Sequence, residues 1–243
     1  MPRRQILTDR SRAALFDLPT DESSLLRHYT LADDDIEHIR TRRSANNQLG
    51  FALQLCAFRY PGRLLNSGET IPLEVAEFVA AQIGVKGIDL AGYAETDVTR
   101  RRHLIDLRDI YGYKMFTGRG ARDLTAWLEN EAEGAKSNED LARRFVEECR
   151  KKQIIVPAVS SVERLCADAL VEAERRIEAR IVDRLCDSIR TRLDEMLTED
   201  VEGRVSRFVW LRQFEVGNNS ADINRLLDRL EFLRELKLSP DLL

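Results

Sequence analysis

The chain has 243 residues, room for two or three small domains, and its 43% apolar and 33% charged content excludes disorder throughout and fits a soluble, helix-rich protein. A formal net charge of −4 does not of itself mark a nucleic-acid binder. The opening MPRRQILTDR lacks the apolar core of a signal peptide, and no stretch approaches the roughly 18 apolar residues of a membrane span, so a cytoplasmic, membrane-free protein is expected.

In chain order, Thr8 followed by DRSRAALFDL reads as an N-cap and a short helix, stopped at Pro19. Thr20-Asp21-Glu22 starts a second helix that carries Leu25, Leu26 and Tyr29 and ends near Thr30. A third is expected over Asp33–Arg42, with Asp33, Asp34 and Asp35 in its first turn and arginines in its last, as the helix dipole favours. The fourth, from Ser44 or Asn46 to Arg59, is apolar nearly all round and should be buried. Pro61-Gly62 stops it. Helix, tight polar turn, helix is compatible with a helix-turn-helix arrangement.

A loop over residues 64–71 makes a first domain boundary. Pro72 is expected at the first position of a helix that runs to Ile83, with Gly84 beyond its end. After a Gly-containing turn comes a helix over Thr96–Tyr111, with Leu104, Leu107 and Tyr111 on one face, Arg101 and Arg108 on a flanking face, and Arg102 elsewhere. GYKMFTGRGAR follows, then a helix from about Ala121 to Glu133 and another behind a capping box at Ser137-x-x-Asp140. Gln153–Val156 is the one strand-like run, cut short by Pro157. Ser160-x-x-Glu163 reads as a capping box for a long helical register from Leu165 to Leu193, with a kink near Ser188. A short helix from Arg207 to Phe214 and a last amphipathic helix capped at Asn218-Asn219-Ser220 complete the chain. Cys56, Cys149, Cys166 and Cys186 form no C-x-x-C pair and read as buried free thiols.

Charge is distributed in blocks. Residues 100–122 carry seven basic against two acidic side chains, whereas residues 64–99 carry one against six. Two basic segments have donors suited to phosphates or base edges. Arg40, Arg42, Arg43, Asn46 and Asn47 flank a helix N-terminus, where unpaired N–H groups already favour an anion, and Arg59 and Arg63 stand at the other end of that helix. Arg100, Arg101, Arg102, Arg108, Lys114, Arg119 and Arg122 form the second set. For both, capping with surface ion pairs competes with anion contact. Arg143, Arg144, Arg150, Lys151 and Lys152 read as a solvated helix end.

Catalytic patterns are absent: His28, His38 and His103 are scattered, and there is no H-E-x-x-H, G-x-S-x-G or Walker A loop. His38 is read as part of a surface ion-pair lattice with Asp34, Asp35 and Arg42, and the Asp33–Asp35 cluster as structural capping, not a Mg²⁺ site. No catalytic residue, metal or cofactor is assigned to this chain.

MPRRQILTDRSRAALFDLPTDESSLLRHYTL and RRSANNQLGFALQLCAFRYPGRLL, then TRRRHLIDLRDIYGYKMF, IIVPAVSSVERLCADALVEAERRI and SRFVWLRQFEVGNNSADINRLLDRLEFLREL, resemble the N-terminal region of the Tn-three-family transposases. These are the large enzymes of replicative, cointegrate-forming bacterial transposons. The resemblance implies sequence-specific binding of double-stranded DNA at terminal inverted repeats, in a bacterial, nucleoid-associated setting. It implies that RRSANN, RYPGR and TRRRH…R face DNA, that residues after about 155 lead toward a catalytic part, and that the Asp-Asp-Glu domain, where Mg²⁺ is expected, lies far downstream. Ser44 stands where the family often has Gly, and Gln48 where a basic residue is common.

The expectation is thus an all-α protein with a first helical DNA-binding module at 1–65, a second at 66–155, both helix-turn-helix-like, and a helical linker or scaffold of long amphipathic helices at 156–243. The alternative is a regulatory module that pairs with itself or with a full-length transposase through 156–243.

Overall fold

A computed structural model describes residues 7–66, 68–85, 97–197, 206–212 and 220–235. The protein is all-α. Among these residues there is no strand, only isolated parallel bridges between Arg63 and Val156 and between Lys114 and Ile154. The chain divides into two compact units, 1–173 and 174–243.

The first unit opens with α1 (Asp9–Phe16), capped by Thr8, whose hydroxyl accepts from the Ser11 N–H. Asp21 caps α2 (Glu22–His28) in the same way through the Ser24 N–H. Asp21 is held at about 2, chiefly by the Ser23 hydroxyl, then by Ser24. α3 (Asp33–Arg40) stops two residues earlier than expected, because the Arg42 N–H turns back to the Ile39 carbonyl in a tight turn. Ser44 then caps α4 (Ala45–Arg59).

α4 is the centre of this unit. Every residue from Leu49 to Phe58 is buried. It packs against α3, α5 (Leu73–Ile83) and α6 (Asp97–Tyr111), and its Phe51, Leu55 and Phe58 join Tyr29, Ile39, Val79, Leu107 and Ile155 in one core. Pro72 takes the N-cap of α5 instead of its first helical position, and Gly84 ends that helix at φ 71°.

A second core gathers Leu7, Phe16, Leu124, Leu128, Phe145, Val156, Val162 and Cys166. It is built from α1, α7 (Gly118–Glu131), α8 (Asn138–Lys151) and the first half of α9 (Val159–Arg184). α7 begins three residues before its expected start at about Ala121 and gives way to a 3-10 turn, Ala132–Gly134, so the expected end at Glu133 is two residues too long. Ser137 caps α8 through the Asp140 N–H. Ser160 does not cap α9. It lies inside that helix, and Glu163 turns to Arg12 at 2.8 Å, a charged partner stronger than a backbone N–H.

Cys56, Cys149 and Cys166 are buried, and burial pushes each thiol up to about 12. Cys186 corrects the expectation of four buried thiols. It stands exposed where α9 breaks off before α10 (Asp187–Leu197). This break, at residues 185–186, takes the place of the kink near Ser188.

In the second unit, α11 (Arg207–Arg212) and α12 (Ser220–Glu235) meet at Trp210, whose ring lies 5.9 Å edge-on from Phe232 and 4.7 Å under the Arg229 guanidinium. Ile223, Leu226, Leu227, Leu230 and Leu233 of α12 are exposed. The Asn218-Asn219 part of the expected cap, Phe214, Thr96 and the turn after Val85 lie outside the described residues.

Candidate nucleic-acid interface

The α3–α4 turn is fixed by its own side chains. The Ser44 hydroxyl accepts from the Asn47 N–H at 3.3 Å, and Gln48 Nε2 donates to the Arg42 carbonyl at 2.9 Å. Ser44 and Gln48 thus hold the turn together. Asn46 and Asn47 are half-buried in the first turn of α4, whereas Arg40 and Arg43 are exposed. Neither arginine has a carboxylate partner among the described residues.

Arg42, between them, points the other way. Its guanidinium lies 4.3 Å over the Phe51 ring and is ion-paired with Asp106 of α6. Phe51 in turn packs edge-on against the buried His103 ring at 5.3 Å. Burial first, and then the Arg42 charge, hold the His103 imidazole below its ordinary range, and Arg102 acts in the same sense while Asp106 opposes.

This link joins the two basic segments. Asp106 is one turn beyond Arg102 on α6, so the two share a face. Arg102 is exposed on α6. The Arg42–Asp106 pair thus sets the α3–α4 turn, with the exposed Arg40 and Arg43, beside α6, with the exposed Arg102, at the start of a fifteen-residue helix whose N-terminus favours an anion. Arg101 is exposed on the adjacent face of α6. Arg108 is half-buried, its Nε enclosed, and Arg100 donates to the Leu65 carbonyl at 2.6 Å.

The other end of α4 is organised differently. Arg59 makes a forked pair with the buried Asp35, at 2.8 and 2.9 Å, and lies 5.9 Å over Tyr111. Asp35 also accepts from the Ala32 N–H at 2.8 Å, so one carboxylate caps α3 and holds α4. Arg63 bonds Glu69 through two nitrogens, at 2.6 and 2.9 Å, and donates to the Phe16 carbonyl at 2.6 Å. Tyr113 packs on Phe58 at 5.0 Å, which places the exposed Lys114 at this end also. Arg119 is exposed with Asp123 at 3.7 Å, and Arg122 is exposed on α7, whose body belongs to the second core. These three are not brought to the α3–α4 turn.

The pairs Arg42–Asp106, Arg63–Glu69 and Arg59–Asp35 are not among the sequence expectations, which set Asp35 in a lattice with His38 and Arg42. Arg42–Asp106 and Arg59–Asp35 join separate elements, and Arg63–Glu69 closes within the loop between α4 and α5, outside any helical spacing. Nor does His38 form the expected ion-pair lattice: its ring packs edge-on to Tyr111 at 6.1 Å, while Asp35 and Arg42 are drawn to Arg59 and Asp106. Among the described residues, no group of three His, Cys, Asp or Glu side chains is placed to hold a metal ion. No helix among them is long and apolar enough to cross a membrane. A cavity of about 790 Å³ opens between Phe16, Met115, Ile155 and Pro157, and the arginines at its rim, Arg12 and Arg63, are paired with Glu163 and Glu69.

A family model described as "Domain of unknown function (DUF4158)" matches residues 6–169. The chain is 37% identical to the transposase for transposon Tn3926 of Escherichia coli, across 98% of this chain and 24% of that protein. It is 36% identical to the transposase for transposon Tn501 of Pseudomonas aeruginosa, with the same shares covered. It is 28% identical to the transposase for transposon Tn1546 of Enterococcus faecium, across 97% of this chain and 24% of that protein. The chain thus spans about a quarter of the length of these curated relatives.

Proposed function

Because the chain belongs to the DUF4158 family and is homologous to the N-terminal region of Tn-three-family transposases, we propose that it binds double-stranded DNA at the terminal inverted repeats of a transposon. In this reading it is a non-catalytic part of the transposition machinery and works on the bacterial nucleoid. Segments 1–65 and 66–155 contact successive parts of one duplex end, and 156–243 leads toward the rest of the machinery.

The observation that carries the reading is the Arg42–Asp106 pair, which sets the α3–α4 turn beside α6. Arg40, Arg43 and Arg102, all exposed, then supply phosphate contacts around the N-terminus of α4. Phosphate contacts make affinity steeply salt-dependent, since each neutralised phosphate adds about −0.9 to the slope of log affinity against log salt. Asn46 and Asn47, at the mouth of α4, are the candidate base readers, each bidentate contact being worth about 1–3 kcal/mol of discrimination. Arg59 and Arg63, held by Asp35 and Glu69, are assigned to the scaffold and not to DNA.

The test compares the purified chain on an inverted-repeat duplex and on a scrambled duplex of equal length, at several salt concentrations. Tighter binding to the repeat at each salt is expected. Equal affinities throughout would remove specific recognition.

A second reading rests on one observation, the exposed apolar stripe Ile223, Leu226, Leu227, Leu230 and Leu233 of α12. It makes the chain a module that pairs with itself or with a full-length transposase. A mass increase on adding transposase, with none on adding DNA, would favour it.

A further inference from the structure

A second cluster of cations stands at the C-terminal end of α4. Tyr60, the residue after α4, carries two partners on its ring. His28 of α2 stacks on it at 4.5 Å with the planes 10° apart, and the Arg150 guanidinium of α8 lies 4.9 Å from its centroid. Arg27, next to His28, is exposed, and Lys151 and Lys152 follow Arg150, both exposed.

Two features separate this cluster from an ordinary solvated helix end. Arg150 is held in place. Gly62, at φ 101°, leaves space where a Cβ would stand 2.7 Å from the Arg150 Cγ, so the side chain lies flat over the turn and reaches Tyr60. The acids nearby are also few and already engaged. Asp21 serves the N-cap of α2, and Glu148 is shared between Lys151 at 3.6 Å and Lys152 at 3.3 Å. Arg27 and Arg150 have no carboxylate partner among the described residues. Burial, then Arg27 and Arg150, hold the His28 imidazole below its ordinary range, against a weaker pull from Asp21. An aromatic ring flanked by a fixed guanidinium, further cations and a half-buried imidazole suits a phosphodiester, which accepts from the guanidinium and, as a nearby anion, favours the protonated imidazole against burial and the Arg27 and Arg150 charges.

We propose that Arg27, His28, Arg150, Lys151 and Lys152 form a second phosphate-binding patch for duplex DNA, in which His28 takes up a proton as the DNA backbone arrives. The inference rests on the DNA-binding reading above and extends it to a surface that the first site does not include. Ser44 and Tyr60 bracket α4 sixteen residues apart, about 24 Å at 1.5 Å per residue, which is less than one turn of B-form DNA. A single duplex of about a turn therefore has the length to meet both patches. His28 faces Tyr60 from α2 and Arg150 from α8, with Arg27 and Asp21 on its own element.

The experiment uses the full chain and a 30-base-pair duplex. Affinity is measured from about 50 to 200 mM salt and from pH 7.5 to 5.5, with the fold of each variant checked by circular dichroism. In R27Q/K151Q/K152Q the salt slope should fall by one to three units, about 0.9 for each lost phosphate contact. The parent should bind more tightly as pH falls, and H28Q should lose most of that dependence. The His28 imidazole, followed by NMR, should titrate at higher pH with DNA than without. A triple variant within twofold of the parent at every salt, with an unshifted His28, overturns the patch. If R43Q/R102Q weakens binding in that same experiment, the DNA-binding reading stands and this patch alone fails. If the parent binds no duplex at any salt, both fall.

Discussion

Two arginine-rich turns bracket α4, and they meet opposite fates. The turn at residues 40–44 exposes Arg40 and Arg43. The turn at residues 59–63 locks Arg59 onto Asp35 and Arg63 onto Glu69. In sequence both are short basic runs beside the same helix. The difference comes from which carboxylates the fold delivers. α3 brings Asp35 across to Arg59, and the loop after α4 brings Glu69 back to Arg63, whereas no described carboxylate reaches Arg43. An arginine-rich turn is thus a DNA-contact candidate only after the carboxylates around it have been counted in three dimensions.

The largest difference between the turns should be in stability. Asp35→Ala removes the partner of Arg59 and the acceptor for the Ala32 N–H at a site with only 2% exposure, so a loss of about 3 kcal/mol in urea unfolding is expected. A loss below about 1 kcal/mol would show that the Arg59 end is not held as described. Arg63→Ala should cost about 2 kcal/mol, since it removes charged hydrogen bonds to Glu69 and bonds to the Phe16 and Leu64 carbonyls. Arg43→Ala, measured beside it, should stay within about 0.5 kcal/mol of the parent, as exposed substitutions do. Gly62→Ala should cost about 1 kcal/mol, because φ 101° strains any Cβ and the methyl meets Arg150.

The smallest effect is pH-dependent. His28 and His103 both titrate below their ordinary range in the folded chain. The unfolded chain therefore binds protons first. Stability from this source is full above about pH 6.5 and declines as pH falls below it. Thermal melts at pH 7.5 and 5.5 should show the decline, and H28Q/H103Q should reduce it; an unchanged decline would assign it to other groups.

Much of the fold was legible before the structure. Thr8 and Ser137 announce helix caps, and the starts expected within Thr20–Glu22 and at Ser44 or Asn46 resolve to caps at Asp21 and Ser44, because a cap is a local interaction within three residues. The all-round apolar run from Leu49 to Phe58 announces a buried helix for the same local reason. Ser160 misled, because its capping box competes with Arg12, 151 residues away, for Glu163. The candidate site was half legible. Residue types and spacing singled out Arg43 and Arg102 alike, but only the Arg42–Asp106 pair, 64 residues apart in sequence, sets their segments side by side. His103 went unrecognised as a core residue of α6 because its polarity hides the fact that its ring packs on Phe51. Arg150 looked like a solvated helix end, because the turn at Gly62 that holds it over Tyr60 is remote in sequence.

One measurement bears most directly on the contrast between the two turns. R43Q/R102Q and R59Q are each titrated with the inverted-repeat duplex across a salt series, alongside the parent. R43Q/R102Q should keep its unfolding midpoint, bind about tenfold more weakly at 100 mM salt, and lose one to two units of salt slope. R59Q should lose stability and, at temperatures where it is folded, keep the parent's slope. A reversal, with R59Q losing slope and R43Q/R102Q binding like the parent, would contradict the assignment of the α3–α4 turn and α6 to DNA.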